Sequence, residues 1–234
     1  MGSNALSGTL STISNNGTIK TSNTSATPIP TGRTWGGTIE YSEVTGGQTV
    51  VVGTYNNLKL NNASLTNTAG GNLTVNGTLT TTAGGTLDMG TSAILMGTLS
   101  TINNSGTIKT SVPTATSYTP IPTGKTWGGT IVYGAAAGGQ TVVAGTYNNL
   151  TLSCTGGNNS TGGNIIVGGL FSTSTGGIVD TDDDVTFNGT TNCGSSFNAS
   201  AGTVTYGVAA TNILGGTYYN IVIPDNASLC GNLT

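Results

Sequence analysis

Asp180, Asp182, Asp183 and Asp184 place four carboxylates within five residues, the densest charge in the chain. Carboxylate oxygens are the ligands a hard cation seeks, so calcium is the ion this set invites. The spacing lacks the Gly-Gly-x-Gly-x-Asp rhythm of calcium β-rolls, and the competing reading is a solvated corner. No His, Lys or Arg stands near these carboxylates in sequence to complete a hydrolytic or lyase site. Glu40 and Glu43 could act as an acid–base pair, but the matching positions of a second copy carry Val132 and Ala135, which favours surface decoration. Trp35 and Trp127 each follow Pro-x-Pro-Thr-Gly-(Arg/Lys)-Thr. An exposed indole there could stack on a sugar, whereas a buried one would close a loop, as large aromatics more often do. Cys154, Cys193 and Cys230 all lie in the last third. An odd count in an extracellular chain suggests one internal bridge plus one thiol, or an intermolecular bridge. At least two of the three are expected to be oxidised, with Cys193, midway between the others, in an internal pair.

The wider composition narrows the chemistry further. Among 234 residues there are 5 Lys/Arg, 8 Asp/Glu and no histidine. Imidazole catalysis and His-ligated metals are therefore excluded, and five scattered cations cannot form a nucleic-acid face. Gly, Thr, Asn and Ser together supply 132 residues. Gly and Thr are poor helix formers, so a helical protein is not expected. No run of 18 apolar residues offers a membrane span. Apolar residues still reach 35%, in short regular strings that a disordered chain would lack.

Positioning comes from repeats. Residues 8–22 and 97–111 match at 13 of 15 positions, and residues 28–61 and 120–153 at 25 of 34. The shared core reads IPTG(R/K)TWGGTI, GGQTVV and GTYNNL. A divergent third copy places Gly202–Tyr206 against Gly129–Tyr133, and Gly216–Ile221 against Gly145–Leu150. The long repeats divide one solenoid domain, 1–234, at about 1–88, 89–163 and 164–234. A finer period links Leu73 to Ile94, Leu79 to Leu99 and Leu87 to Ile108, at 20 or 21 residues. Each anchor sits in a short alternating string bounded by Asn-Gly or Gly-Gly corners. A sandwich does not need likeness at that spacing, but a β-solenoid, whose like residues stack, does. The expected fold is all-β, a parallel β-solenoid of about 20–22 residues per coil, with those three pairs stacked inside.

The repeats NGTLT, GTYNNLTL and GTIKT resemble the Gly/Thr/Asn-rich β-helical regions of secreted bacterial surface proteins, namely filamentous-haemagglutinin-like adhesins and autotransporter passenger regions. That resemblance covers nearly the whole chain and is one of composition and rhythm. It implies a right-handed parallel β-helix, an extracellular or cell-surface location in bacteria, and a structural or adhesive role without site residues to carry over.

Three functions follow as expectations. The first is a filament or matrix-fibre subunit that partners with itself head to tail. Both termini fall within repeat units, and neither shows a cap; Leu6, Leu10, Leu229 and Leu233 would then lie at the joining ends. The second is an adhesin stalk contacting carbohydrate or a host surface. The third is ice binding through outward Thr strings such as Thr78/Thr80, Thr107 and Thr110. An enzyme is not expected, nor is any cofactor beyond the candidate calcium.

Overall fold

In the computed structural model, residues 1–10, 13–113, 119–136, 139–154, 157–173, 178–194, 196–210 and 212–234 are described. Among them every regular element is a β-strand, and every strand pairing is parallel. The chain is a β-solenoid: strands bond to their equivalents in neighbouring coils. No helix of the described residues is long and apolar enough to cross a membrane.

The described residues form two compact units, 1–110 with 120–122 and 111–119 with 123–234. Their boundary falls inside the second long repeat. In the first unit the strands are β1 (Thr18–Thr21), β2 (Arg33–Tyr41), β3 (Thr49–Val50), β4 (Gly53–Leu60), β5 (Thr66–Ala69), β6 (Leu73–Val75), β7 (Thr78–Thr81), β8 (Thr86–Asp88), β9 (Leu95–Met96), β10 (Thr101–Asn104) and β11 (Thr107–Thr110). They stack as β1-β2-β4-β6-β9, with β4-β7-β10 beside them, and as β3-β5-β8-β11 on another face. In the second unit they are β12 (Lys125–Tyr133), β13 (Thr141–Leu152), β14 (Asn159–Val167), β15 (Phe171–Thr173), β16 (Ile178–Thr181), β17 (Val185–Phe187), β18 (Ser196–Ala199), β19 (Thr203–Tyr206), β20 (Asn212–Ile213), β21 (Gly215–Thr217), β22 (Asn220–Val222) and β23 (Ser228–Leu229). Here β12-β13-β14-β16-β18-β21 form the main stack, β14-β17-β19-β22 branch from it, and β23 pairs β20.

Alternation explains the core. In β7 and β11, both Thr-x-Thr-Thr or Thr-x-Lys-Thr strings, the second and fourth residues point in and the first and third point out. Stacking then builds columns of like residues, Ile19-Ile39-Leu58-Leu79-Ile102 inside and Thr18-Thr38-Asn57-Thr78-Thr101 outside. In the second unit Phe171, Phe187, Phe197 and Tyr206 form a continuous aromatic contact, with Phe171 and Phe187 centred 4.7 Å apart.

The expected register is met at one pair and corrected at two. Leu87 faces Ile108, and both are fully buried. Leu73 faces Leu95 instead of Ile94, and Leu79 faces Ile102 instead of Leu99. For Leu79 the reason is a longer corner. Leu99 turns there with φ of 42°, donates its N–H to Val75 O at 3.0 Å and drops its side chain into the core. Gly97 precedes it at φ of 104°, where a Cβ would lie 2.2 Å from Val75 O. Coils also vary more than 20–22 residues: Asn212 faces Ser228, 16 residues on, and Thr78 faces Thr101, 23 on. Asn76-Gly77 makes a coil corner stacked on Asn56, with Gly77 N–H on Asn56 O at 2.7 Å.

Candidate functional site

The four aspartates point to different partners. Asp180, outward on β16, accepts amide N–H bonds from Asn158 and Asn198, each at 2.7 Å, so one carboxylate ties the coils on either side of it. Asp183 accepts from Thr161 Oγ1 and from Gly163 N–H, both at 2.8 Å. Asp184 accepts from Thr203 N–H at 2.9 Å, and Asp182 is exposed. Three neighbours in sequence thus hold three separate points of the coil stack. Among the described residues no three Asp, Glu, His or Cys side chains converge into a cation-holding group.

Glu40 and Glu43 also have separate tasks. Lys20, Glu40 and Lys59 occupy one outward column of β1, β2 and β4. Glu40 bridges the lysines, with Lys20 Nζ at 3.3 Å and Lys59 Nζ at 3.1 Å, and takes an N–H bond from Asn61 at 3.0 Å. Burial alone would raise its pKa, but the Asn61 and Lys59 bonds and the Lys59 charge outweigh that and hold it below the usual range. Glu43 instead caps a turn, accepting from Val44 N–H, Thr45 N–H and Thr45 Oγ1. In the second repeat Lys109 pairs with Asp88 on the facing strand at 3.1 Å.

Trp35 and Trp127 are both fully buried, so neither offers a face to a sugar ring. Cys193 and Cys230 are bridged, with Cα atoms 5.3 Å apart, while Cys154 is a buried thiol. Among the residues assigned to joining ends, Leu6 donates its N–H to Pro28 O at 3.0 Å, and Leu10 and Leu233 are half-buried. Leu229 is 61% exposed, in a stretch where Val208, Tyr219, Val222 and Ile223 are exposed too.

The most developed internal arrangement is one that residue spacing did not reveal. Tyr41 and Tyr55 bring their hydroxyls within 3.4 Å, and both engage Val51. Val51 donates its N–H to Tyr41 at 3.2 Å, and Tyr55 donates its O–H to Val51 O at 2.5 Å. Each phenol has one proton, so Tyr55 spends its proton on Val51 and Tyr41 must donate to Tyr55. The second repeat builds the same clasp. Tyr133 and Tyr147 are 3.3 Å apart, with Val143 N–H on Tyr133 at 3.1 Å and Tyr147 on Val143 O at 2.6 Å. A third follows at Tyr206 and Tyr218, 3.0 Å apart, around Leu214 at 3.3 and 2.6 Å.

No protein-family model, curated protein or solved structure matches this chain.

The clasp phenols are held neutral. Burial pushes Tyr133 up to about 12 against the lowering pull of its bonds to Tyr147 and Val143. Burial, then the charge of an ionised partner and the hydrogen bond between them, lifts Tyr55, Tyr147 and Tyr218 well above the ordinary phenol range. A second recurring device is an inward glutamine in Gly-Gly-Gln-Thr. Gln48 accepts from Glu43 N–H at 2.8 Å and donates to Thr21 O and Asn23 O at 3.1 and 2.9 Å. Gln140 accepts from Ala135 N–H at 2.7 Å and donates to Val112 O at 3.0 Å. Both are buried polar groups whose bonds offset their desolvation.

Proposed function

We propose that this chain is a structural subunit of an extracellular filament or matrix fibre, assembled by stacking one β-coil on another from end to end. The observation that carries this reading is that coils from different parts of the chain make interchangeable contacts. Leu6 N–H reaches Pro28 O and Leu95 N–H reaches Pro120 O, each at 3.0 Å. The tyrosine clasp recurs in three repeats and the buried glutamine in two, at corresponding positions. A coil of this chain is therefore a template that another coil of the same sequence fits through in-register backbone pairing and like-on-like columns.

Two further features support it. Val222 and Leu229 expose apolar side chains on β22 and β23, a surface that a neighbouring coil can cover. Stacking one coil on another is a heterologous contact, which propagates without closing. The Cys193–Cys230 bridge suits the oxidising surroundings of a secreted protein. The composition agrees with the β-helical regions of bacterial surface proteins, and an adhesin stalk is the alternative within that class.

Sedimentation of the purified chain across a concentration series, with negative-stain electron microscopy, tests the proposal. Unbranched fibres that lengthen with concentration are expected. Single particles at every concentration would favour the stalk.

A further inference from the structure

Outside the contacts already described, one concave surface in the first unit has a buried polar donor without an acceptor among the described residues. It is a groove of about 310 Å³ over buried Ile29, with Ser7, Thr27, Pro30, Thr31 and Arg33 around it. The volume is at the small end of ligand sites and matches a body of one or two sugar rings. Arg33 begins β2, and no carboxylate pairs with it among the described residues. Its Nε is buried and hydrogen-bonds to nothing among them. Two residues along on the same face of the strand lies the fully buried Trp35, whose indole N–H, like that of Trp127 in the other repeat, is unbonded among the described residues. That indole nitrogen lies 3.7 Å from the Cβ position of Gly53, the residue facing Arg33 across the β2–β4 ladder, so the indole lies beside the start of β2, beneath the groove lining, and can report on it.

Buried donors are ordinarily satisfied, and a cationic one left alone is costly. An acceptor with negative charge in the groove would satisfy the guanidinium. A guanidinium is shaped to take a carboxylate through two parallel N–H bonds. Hydroxyls of Ser7, Thr27 and Thr31 supply the exchangeable donors and acceptors that suit ring hydroxyls, and Pro30 offers an apolar face for ring C–H groups. We propose that this groove binds a uronic-acid unit of an acidic polysaccharide, with its carboxylate on Arg33. The site would give a matrix fibre an attachment to the glycan around it, but the binding itself does not depend on filament formation.

The test titrates the full-length chain, below the concentration of any assembly, with glucuronate, glucose and acetate, reading the two indole ¹H–¹⁵N signals. Glucuronate is expected to move the Trp35 signal and leave Trp127, its counterpart in the other repeat, in place. Glucose should not bind detectably, and acetate should bind at least about tenfold more weakly than glucuronate. Arg33→Gln should weaken glucuronate by about tenfold or more, the usual scale for a lost charged hydrogen bond. Should that variant not fold, Arg33→Lys serves, since Lys125 occupies the same place in the second repeat, and a loss of several-fold is expected as the two-pronged contact goes. Equal binding of glucose and glucuronate, acetate binding as well as glucuronate, a Trp35 signal that never moves, or unchanged affinity in the Arg33 variants would overturn the proposal.

Discussion

Removing one hydroxyl from a tyrosine clasp should cost far more than its size suggests. In Tyr147→Phe the O–H that bonds Val143 O at 2.6 Å disappears, and so does the acceptor that Tyr133 uses at 3.3 Å. Two buried groups lose partners where water cannot replace them, and each lost bond of this kind costs about 1–2 kcal/mol. The expected destabilisation is therefore about 2–4 kcal/mol. Tyr133→Phe strips the acceptor from Val143 N–H and the same inter-tyrosine bond, so a similar loss is expected. The double variant loses that shared bond only once. Its cost should fall short of the sum by about 1 kcal/mol, the signature of a direct interaction. Urea unfolding followed by fluorescence and circular dichroism gives the three values, and amide exchange at Val143 reads the local opening. Tyr219→Phe, at a residue 67% exposed, is the control and should change stability by less than about 0.5 kcal/mol. A Tyr147→Phe cost no larger than the control, or strict additivity, would refute the clasp as a stabilising unit.

The same phenols predict an alkaline limit: their folded pKa values lie above the unfolded value near 10, so their contribution is intact below pH ~10 and is lost as pH rises through the folded range, by about 1.4 kcal/mol per pH unit for each phenol. Tyrosinate absorbance for the clasps should appear together with unfolding, and early titration of all phenols in the folded chain would contradict this. Thiol counting under denaturing, unreduced conditions should find one reactive group per chain, Cys154, and three only after reduction. Leu87→Ala should cost about 2–5 kcal/mol by opening a cavity beneath Ile108, and an unchanged unfolding midpoint would speak against that stacking.

The fold was legible because its signal is periodic. Like residues return at near-constant spacing whenever coils stack, so Leu87 over Ile108 could be read directly. Leu73 and Leu79 found different neighbours because corners vary in length, and a corner such as Gly97–Leu99 can bury a residue without adding it to a strand. The aspartates read as one cluster for a related reason. Adjacency along a coil scatters side chains onto different faces, so Asp180, Asp183 and Asp184 each tie down a different spot. Burial of Trp35 and Trp127 followed from their size and apolar area. The clasps stayed hidden because half of each is backbone, at Val51, Val143 and Leu214, and no residue type marks a carbonyl as a partner. The recurrence of tyrosines at 41/55, 133/147 and 206/218 was the available signal. Arg33 looked ordinary because only its surroundings show that its Nε–H goes unused.

On the proposed function, coils of separate chains stack as coils within one chain do. A cryo-electron microscopy map of the assembled material measures this directly. Polar fibres are expected, in which strands run perpendicular to the axis, coils repeat every ~4.8 Å across the junction between chains, and backbone bonds join one chain's coil to the next. Fibres absent from concentrated protein, or chains joined side by side with no coil-to-coil pairing between them, would contradict it.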